Sequence, residues 1–178
     1  MGDIPLEYSD VKSVINIFSP ECPLCDWVLV PNAGVGNAAW PTANKVIYVP
    51  FFISKPVTLV KATWCNGATV SGNLDIGLYD EFGHRLINSG STAQSGVNVL
   101  QTWDMTDTLF NPGRYYSAMT FDNATGIVRR ANPLAIWLNA NGVQEEVTGS
   151  FGLPATATFA NPSSAYAPDI TWQLLTTL

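Results

Sequence analysis

The sequence predicts an all-β protein, built as an antiparallel β-sandwich or barrel, and three observations lead to this prediction. Short segments rich in β-branched and aromatic residues recur along most of the chain. Turn residues, mainly glycine, asparagine and proline, separate these segments. No segment carries apolar residues at helical spacing over a length that would form an amphipathic helix.

The central part of the chain carries the clearest strands. Residues 73–79 alternate strictly, so Leu74, Ile76 and Leu78 share one face and are expected to point into the core. Asn73 and Asp75 share the other face and are expected to lie outside the core. The strands predicted in this part of the chain are 46–53, 57–64, 73–79, 85–88, 97–103 and 113–121.

The last third of the chain again contains short segments with the pattern of strands. Residues 134–138 predict a buried strand, residues 149–153 a second one, and residues 171–175 the final strand. Residues 159–170 contain two prolines and a Ser-Ser-Ala-Tyr segment, which predict a long ordered loop between the last two strands.

The first 43 residues differ from the rest because they contain five of the twelve prolines. Residues 11–18 are the one plausible strand there, with residues 27–30 as a second candidate. The sequence therefore predicts an N-terminal arm over residues 1–43 and a sandwich domain over residues 44–178. The apolar residues of the arm are expected to pack either on their own sandwich or on a neighbouring subunit.

Composition and charge limit the function. Charged residues make up 12% of the 178 residues, about half the usual share, and the net charge is −6. The densest cationic spot is Arg129-Arg130, so no nucleic-acid partner is expected. The longest apolar run, residues 46–53, is too short to span a bilayer, and no membrane partner is expected. The N-terminus lacks the pattern of a secretory signal, so the protein is expected to act without Sec export or after removal of a leader.

Cys22-Pro-Leu-Cys25 could supply half of a tetrahedral thiolate metal site. The other ligands would have to come from Cys65 and His84, which lie far away in the sequence, or from symmetry-related chains. Cys22 and Cys25 are therefore expected to be inert thiols, with a metal site or a disulfide as alternatives. Cys65 is expected to be a small buried residue at the end of a strand.

Catalytic chemistry has little support, and no catalytic residue, metal ligand or cofactor is predicted. His84 lies in an apparent hairpin turn and is expected to be an exposed polar ring. No Gly-x-Ser-x-Gly sequence is present to hold a serine nucleophile. Asp104 and Asp107 are expected in a turn before Asn111-Pro-Gly113, with calcium binding as an alternative. Glu145-Glu146 is the other acidic pair. An acid–base role would need two carboxylates held at a defined distance from each other across a cleft.

The six tryptophans allow two interpretations. Trp64, Trp103, Trp137 and Trp172 lie within predicted strands, so packing in the core or at a subunit interface is the first expectation. Trp40 lies in the arm beside a proline and is harder to place. The alternative is a platform of exposed rings that stack on sugars.

Part of the chain resembles a known module. The segments that carry the resemblance are Val46-Ile-Tyr-Val-Pro-Phe-Phe52, Pro56-Val-Thr-Leu-Val60, Gly72-Asn-Leu-Asp-Ile-Gly-Leu-Tyr-Asp80, Ser89-Gly-Ser-Thr92 and Pro112-Gly-Arg-Tyr-Tyr116. They resemble a jelly-roll module of tailed-bacteriophage virion proteins, and they are similar to β-sandwiches of the carbohydrate-binding type. The likeness covers residues 45–121 and implies a jelly-roll-like sandwich, but it implies no catalytic residues.

The resemblance and the low charge together suggest a non-enzymatic structural protein of a phage virion, assembled in the host cytoplasm. A decoration or accessory protein on the capsid surface is the first hypothesis. The expected partners are further copies of the chain, as a homotrimer, and other virion proteins such as the major capsid protein. The alternative is a tail receptor-binding or carbohydrate-binding module that contacts a host surface glycan.

Overall fold

The computed structural model describes residues 14–16, 35–131 and 134–175. Strands make up 55% of the structure and helix 4%, and the strands form antiparallel sheets. The all-β prediction is therefore confirmed. No helix within the described ranges is long and apolar enough to cross a membrane.

The described elements are thirteen strands and one short helix. They are β1 (Val14–Asn16), β2 (Val35–Ala39), β3 (Lys45–Ile53), β4 (Val57–Cys65), β5 (Asn73–Asp80), β6 (Arg85–Asn88), β7 (Thr92–Ala93), β8 (Leu100–Phe110), β9 (Gly113–Phe121), β10 (Ile127–Ala131), α1 (Ala135–Ala140), β11 (Gln144–Val147), β12 (Ala167–Pro168) and β13 (Ile170–Leu174).

Eight of these strands form a jelly roll. Sheet I has the order β1-β13-β4-β8, and sheet II has the order β11-β3-β9-β5-β6, with β7 also paired to β5. The eight jelly-roll strands are β1, β3, β4, β5, β6, β8, β9 and β13, and β7 and β11 are additional strands of sheet II. Among these eight, the chain passes from one sheet to the other between successive strands, except at the β5–β6 hairpin. Two packed sheets with this strand order and antiparallel pairing are the jelly-roll arrangement. A small sheet, β12-β10-β2, adds to one end.

The core lies between sheets I and II. Leu74, Ile76 and Leu78 of β5 are fully buried there, as the alternation predicts. Trp64 and Trp172 pack against them from sheet I. Burial of such large side chains removes apolar surface from water, and this is the main favourable term in folding.

Trp40 closes one end of the core. Its ring lies 5.0 Å from that of Phe121 and 5.1 Å from that of Tyr166. Its indole N–H donates to the backbone oxygen of Lys45 at 2.9 Å, so the polar atom is satisfied although the side chain is 1% exposed. The residue that was hardest to place from the sequence is therefore part of the core.

Asp75 lies on the face of β5 opposite to Leu74, as the alternation predicts, but it is buried there, with only 2% of it exposed. The segment 149–159 crosses the outer face of sheet II and covers it. Tyr48 and Tyr79 of the sheet pack with Leu153 of this segment in a second apolar cluster. The outer face of β5 is therefore buried as well as its inner face, whereas Asn73 at the start of the strand is half-buried.

Two strands predicted in the last third are wrong. Residues 135–140 form helix α1, in which Leu138 is the buried residue. A short apolar run does not distinguish a strand from a helix by periodicity, which explains the error. Residues 149–152 form bends and Leu153 has no regular structure, and the φ of +114° at Gly152 is incompatible with a strand. The final strand is confirmed as β13, and the predicted loop 159–170 also contains β12.

Part of the predicted arm pairs with the sandwich. β1 pairs with β13 at the edge of sheet I, and β2 pairs with β10. β1 therefore supplies the first strand of the jelly roll. The remainder of the predicted strand 11–18 and all of the predicted strand 27–30 lie outside the described residues. The division of the chain at residue 43 stays a prediction.

Candidate interaction surfaces

His84 organises a turn. Its side chain is exposed, as expected, and its Nδ1 lies 3.0 Å from a carboxylate oxygen of Asp80. The same carboxylate accepts hydrogen bonds from the backbone N–H groups of Phe82 and His84. Burial would raise the pKa of Asp80, but these hydrogen bonds from His84 and Phe82 outweigh it and lower the pKa. The carboxylate therefore holds the β5–β6 turn in shape.

Asp104 and Asp107 lie in strand β8, so the prediction that they belong to a turn is wrong. The strand continues to Phe110 because it pairs with β4 over nearly its whole length. Asp104 is exposed, and its carboxylate lies 3.7 Å from the Lys61 ammonium. Within the described ranges, no three His, Cys, Asp or Glu side chains come together in a way that could hold a metal ion.

Glu145 and Lys45 form a buried ion pair that the sequence did not reveal. The Lys45 Nζ lies 3.0 Å from Glu145 Oε1 and also donates to Ser163 Oγ at 3.1 Å. Ser163 and Ser164 both donate to the Glu145 carboxylate. Burial would raise the pKa of Glu145, but the bonds from Ser163, and then the bond and charge of Lys45, lower it.

A serine hydroxyl beside a lysine amine is the pattern of some nucleophilic sites. In those sites the amine must have a free electron pair to accept the serine proton. Here Lys45 Nζ donates to Ser163 Oγ, and the Ser163 hydroxyl donates to the Glu145 carboxylate instead of to the amine. The cluster is therefore suited to joining β3, β11 and the loop at Ser163 rather than to activating the serine.

Glu146 has a similar structural role. The Tyr48 hydroxyl donates to its carboxylate, which also accepts the backbone N–H of Thr158 at 3.1 Å. Burial, and secondly the bond to Glu146, raise the pKa of Tyr48 well above its usual value. Tyr79 donates to the backbone oxygen of Pro154 at 2.6 Å. These bonds attach the covering segment 149–159 to the outer face of sheet II.

The tryptophans are divided between core and surface. Trp64 and Trp172 are buried, and their indole N–H groups donate to Asn66 Oδ1 at 3.1 Å and to Ser117 Oγ at 3.0 Å. Trp103 is half-buried and meets Trp172 edge to face. Trp137 lies in α1 with 50% of its surface exposed, so the core expectation is wrong for this residue.

The cysteine expectations have mixed outcomes. Cys65 is partly exposed rather than buried, and its thiol lies 3.5 Å from the backbone oxygen of Asn66. Side chains on the outer face of sheet I are less covered than those facing the core, which explains the difference. Cys22 and Cys25 lie outside the described residues.

Three loops meet at one end of the sandwich, which we name the loop end: residues 66–72, 94–99 and 122–126. Gly67 N–H donates to the oxygen of Ile127 at 2.7 Å, and Asn98 N–H donates to the oxygen of Gly67 at 2.9 Å. Asn66 is fully buried and hydrogen bonds through its side chain to Ser95 and Gln101. The three loops therefore form one hydrogen-bonded unit.

The loop end presents apolar side chains to solvent. Val97, Val99 and Leu100 are 50%, 48% and 70% exposed, and we name them the loop-end patch. The predicted strand 97–103 is wrong over 97–99, which form a turn with positive φ at Gly96 and Asn98. Those two turn residues were the sequence signal for this surface.

A second apolar surface surrounds helix α1. Leu134, Ile136 and Trp137 are 67%, 72% and 50% exposed, and we name them the helix patch. Exposed groups of large apolar residues mark protein interaction sites more often than isolated ones do. A cavity of about 360 Å³ lies at the end of sheet I that is opposite to the loop end, between Pro56, Leu109 and Leu175.

In the part of the chain that the structure describes, the fold is a jelly-roll β-sandwich that carries the loop-end patch and the helix patch on its surface. Comparisons with protein-family models, curated proteins and solved structures gave no match.

Proposed function

We propose that this protein is a non-enzymatic structural component of a bacteriophage virion, a decoration or accessory protein on the capsid surface. The observation that carries the proposal is the helix patch, whose side chains lie in water in the single chain. Such a patch is expected on a protein that contacts neighbouring subunits in an assembly, where the patch would be buried.

Two further features support the proposal. The jelly roll agrees with the sequence resemblance to virion modules, although this fold also serves many unrelated functions. The ionisable clusters around Glu145, Glu146 and Asp80 hold strands and loops together, which agrees with a structural role.

In this proposal the helix patch and the arm contact the particle. The arm contributes β1 to sheet I, and further arm residues extend on both sides of this strand in the sequence. The protein is proposed to attach as a symmetric oligomer, a homotrimer in the first instance, with the major capsid protein as its neighbour.

Binding to particles that lack the protein tests this function. Purified protein is mixed with virions from a phage whose copy of the gene is deleted, and co-sedimentation is measured. Wild-type protein should bind, and Ile136→Asp should bind at least about tenfold more weakly, because it places a charge in the contact. Phe82→Asp is the matched control, since Phe82 is 73% and Ile136 72% exposed. Failure of the wild-type protein to bind would contradict the proposal.

A tail receptor-binding or glycan-binding role is the second candidate, and the exposed indole of Trp137 favours it. Flat aromatic rings provide apolar faces on which sugar rings can stack. A glycan array separates the two functions. Saturable binding that is lost in Trp137→Ala, without binding to the capsid, would favour the second candidate.

A further inference from the structure

We infer that the loop-end patch is the surface through which identical copies of this chain associate. The inference deepens the proposed function, because it rests on the homo-oligomer and names the residues that would join its subunits. It does not depend on the phage origin of the protein. The occupant of Val97, Val99 and Leu100 is the same patch on a neighbouring copy.

The distribution of charge favours contact between copies at this surface. Each copy carries a net charge of −6, so two copies repel each other wherever their charged surfaces meet. Apart from Asp122 at the start of the third loop, the loops of the loop end lie in stretches without any charged residue, namely 62–74, 86–103 and 123–128. The loop-end patch itself lies inside the stretch 86–103, so its side chains can meet those of another copy without bringing charges of their own into the contact. The central parts of protein interfaces are depleted of charge in the same way.

The loop-end patch is also held in a fixed shape. Gln94 Nε2 donates to the oxygen of Ile127 at 2.7 Å, and the Gln101 side chain accepts from Asn66 at 2.9 Å and from the Ser95 backbone at 2.9 Å. Asn66 N–H donates to the oxygen of Val99 at 2.9 Å. Surfaces that are ordered before binding lose less conformational entropy when they associate. The buried amide groups thus present Val99 and its neighbours in one conformation.

Pairing through strand β8 is a poor alternative route to an oligomer. Strand β8 is one edge of sheet I, but its pairing with β4 is irregular. From the Leu59–Thr108 pair to the Lys61–Asp104 pair, β4 advances by two residues and β8 by four. Such a bulge and the exposed carboxylate of Asp104 both discourage a second strand from adding to this edge. Association through the end of the sandwich avoids β8.

The test compares two leucines of the same strand. Leu100 lies at the loop end of β8 and is 70% exposed, whereas Leu109 lies near the other end and is 64% exposed. The full chain is prepared as wild type, Leu100→Glu and Leu109→Glu. Molar mass is measured by size-exclusion chromatography with light scattering up to about 100 µM, since association depends on concentration. Circular dichroism confirms that each variant is folded.

We expect the wild type to have a molar mass of at least twice the 19.2 kDa of one chain. Leu100→Glu should raise the dissociation constant at least about tenfold, and Leu109→Glu should leave it unchanged. Val97→Ser is the second variant, which is measured if Leu100→Glu does not fold. It should also weaken association. A monomeric wild type, or equal effects of the two glutamates, would overturn the inference.

The measurement contains no phage particles, so its outcome is independent of the proposed function. A wild-type oligomer that Leu100→Glu dissociates supports the inference even when capsid binding fails. Capsid binding by a protein that associates through another surface would support the function and overturn the inference.

Discussion

The carboxylate of Asp75 accepts a hydrogen bond at 3.0 Å from the backbone N–H of Leu153, 78 residues further along the chain. The same carboxylate accepts hydrogen bonds from the side chains of Asn88 and Ser89. One buried acid thus joins strand β5, the end of β6 and the segment that covers sheet II.

Asp75→Ala should lower the free energy of unfolding. The substitution removes the acceptor for three donors, and an unsatisfied buried donor costs about 1–3 kcal/mol. Urea denaturation measures the change. Asp104→Ala is the matched control, because this carboxylate is exposed and its ion pair with Lys61 contributes at most about 1 kcal/mol. A loss of equal size in both variants would contradict the role of Asp75.

Lys45→Met should destabilise the protein by about 3–5 kcal/mol, because it leaves the Glu145 carboxylate buried without its partner charge. The double variant Lys45→Met/Glu145→Leu should recover a large part of this loss, since it removes both charges. A double-mutant cycle in urea gives the coupling between the two positions. Additive effects of the two single substitutions would show that the ion pair does not couple them.

The contribution of Glu145 to stability should depend on pH. Its pKa in the folded protein lies below the reference value of 4.5. The stabilisation is therefore complete above pH 4.5 and is lost as the pH falls through the folded pKa. The difference in unfolding free energy between the wild type and Glu145→Gln should shrink over this range. A difference that stays constant down to low pH would contradict the assigned direction.

Two truncations should behave differently. Deletion of residues 1–34 keeps β2 and Trp40, whereas deletion of residues 1–43 removes both. The longer deletion should be less stable by roughly 3–5 kcal/mol, the usual cost of losing a buried tryptophan side chain. Thermal unfolding followed by circular dichroism compares the two. Equal stabilities would show that Trp40 is not needed for stability. Studies of attachment should use the shorter deletion, because it keeps Trp40 in the protein.

Cys22 and Cys25 are predicted to hold no stoichiometric zinc, because the sequence offers only Cys65 and His84 as further soft ligands. Elemental analysis of the purified protein should find well below one zinc per chain. One equivalent of zinc that disappears in Cys22→Ser would contradict this prediction.

The features that the sequence predicted well depend on local pattern. Leu74, Ile76 and Leu78 occupy every second position of strand β5. The side of the strand that faces the core follows directly from this alternation. The burial of Asp75 depends on a segment that lies far away in the sequence. No local pattern encodes that contact, so the sequence did not predict that the outer face of β5 is buried.

The loop-end patch was missed for a different reason. Val97 and Val99 are β-branched, and with Leu100 they resembled the start of a strand. The positive φ of Gly96 and Asn98 turns the chain there instead. The buried Lys45–Glu145 pair was also missed, because its partners are 100 residues apart and only the fold brings them together.

Immunogold electron microscopy of purified virions tests the central claim most directly. The proposed function requires that antibodies against the chain label the capsid of a phage whose genome carries the gene, and that the label disappears when the gene is deleted. Virions that contain none of this protein, or that carry the label on the tail alone, would contradict its assignment as a capsid decoration protein.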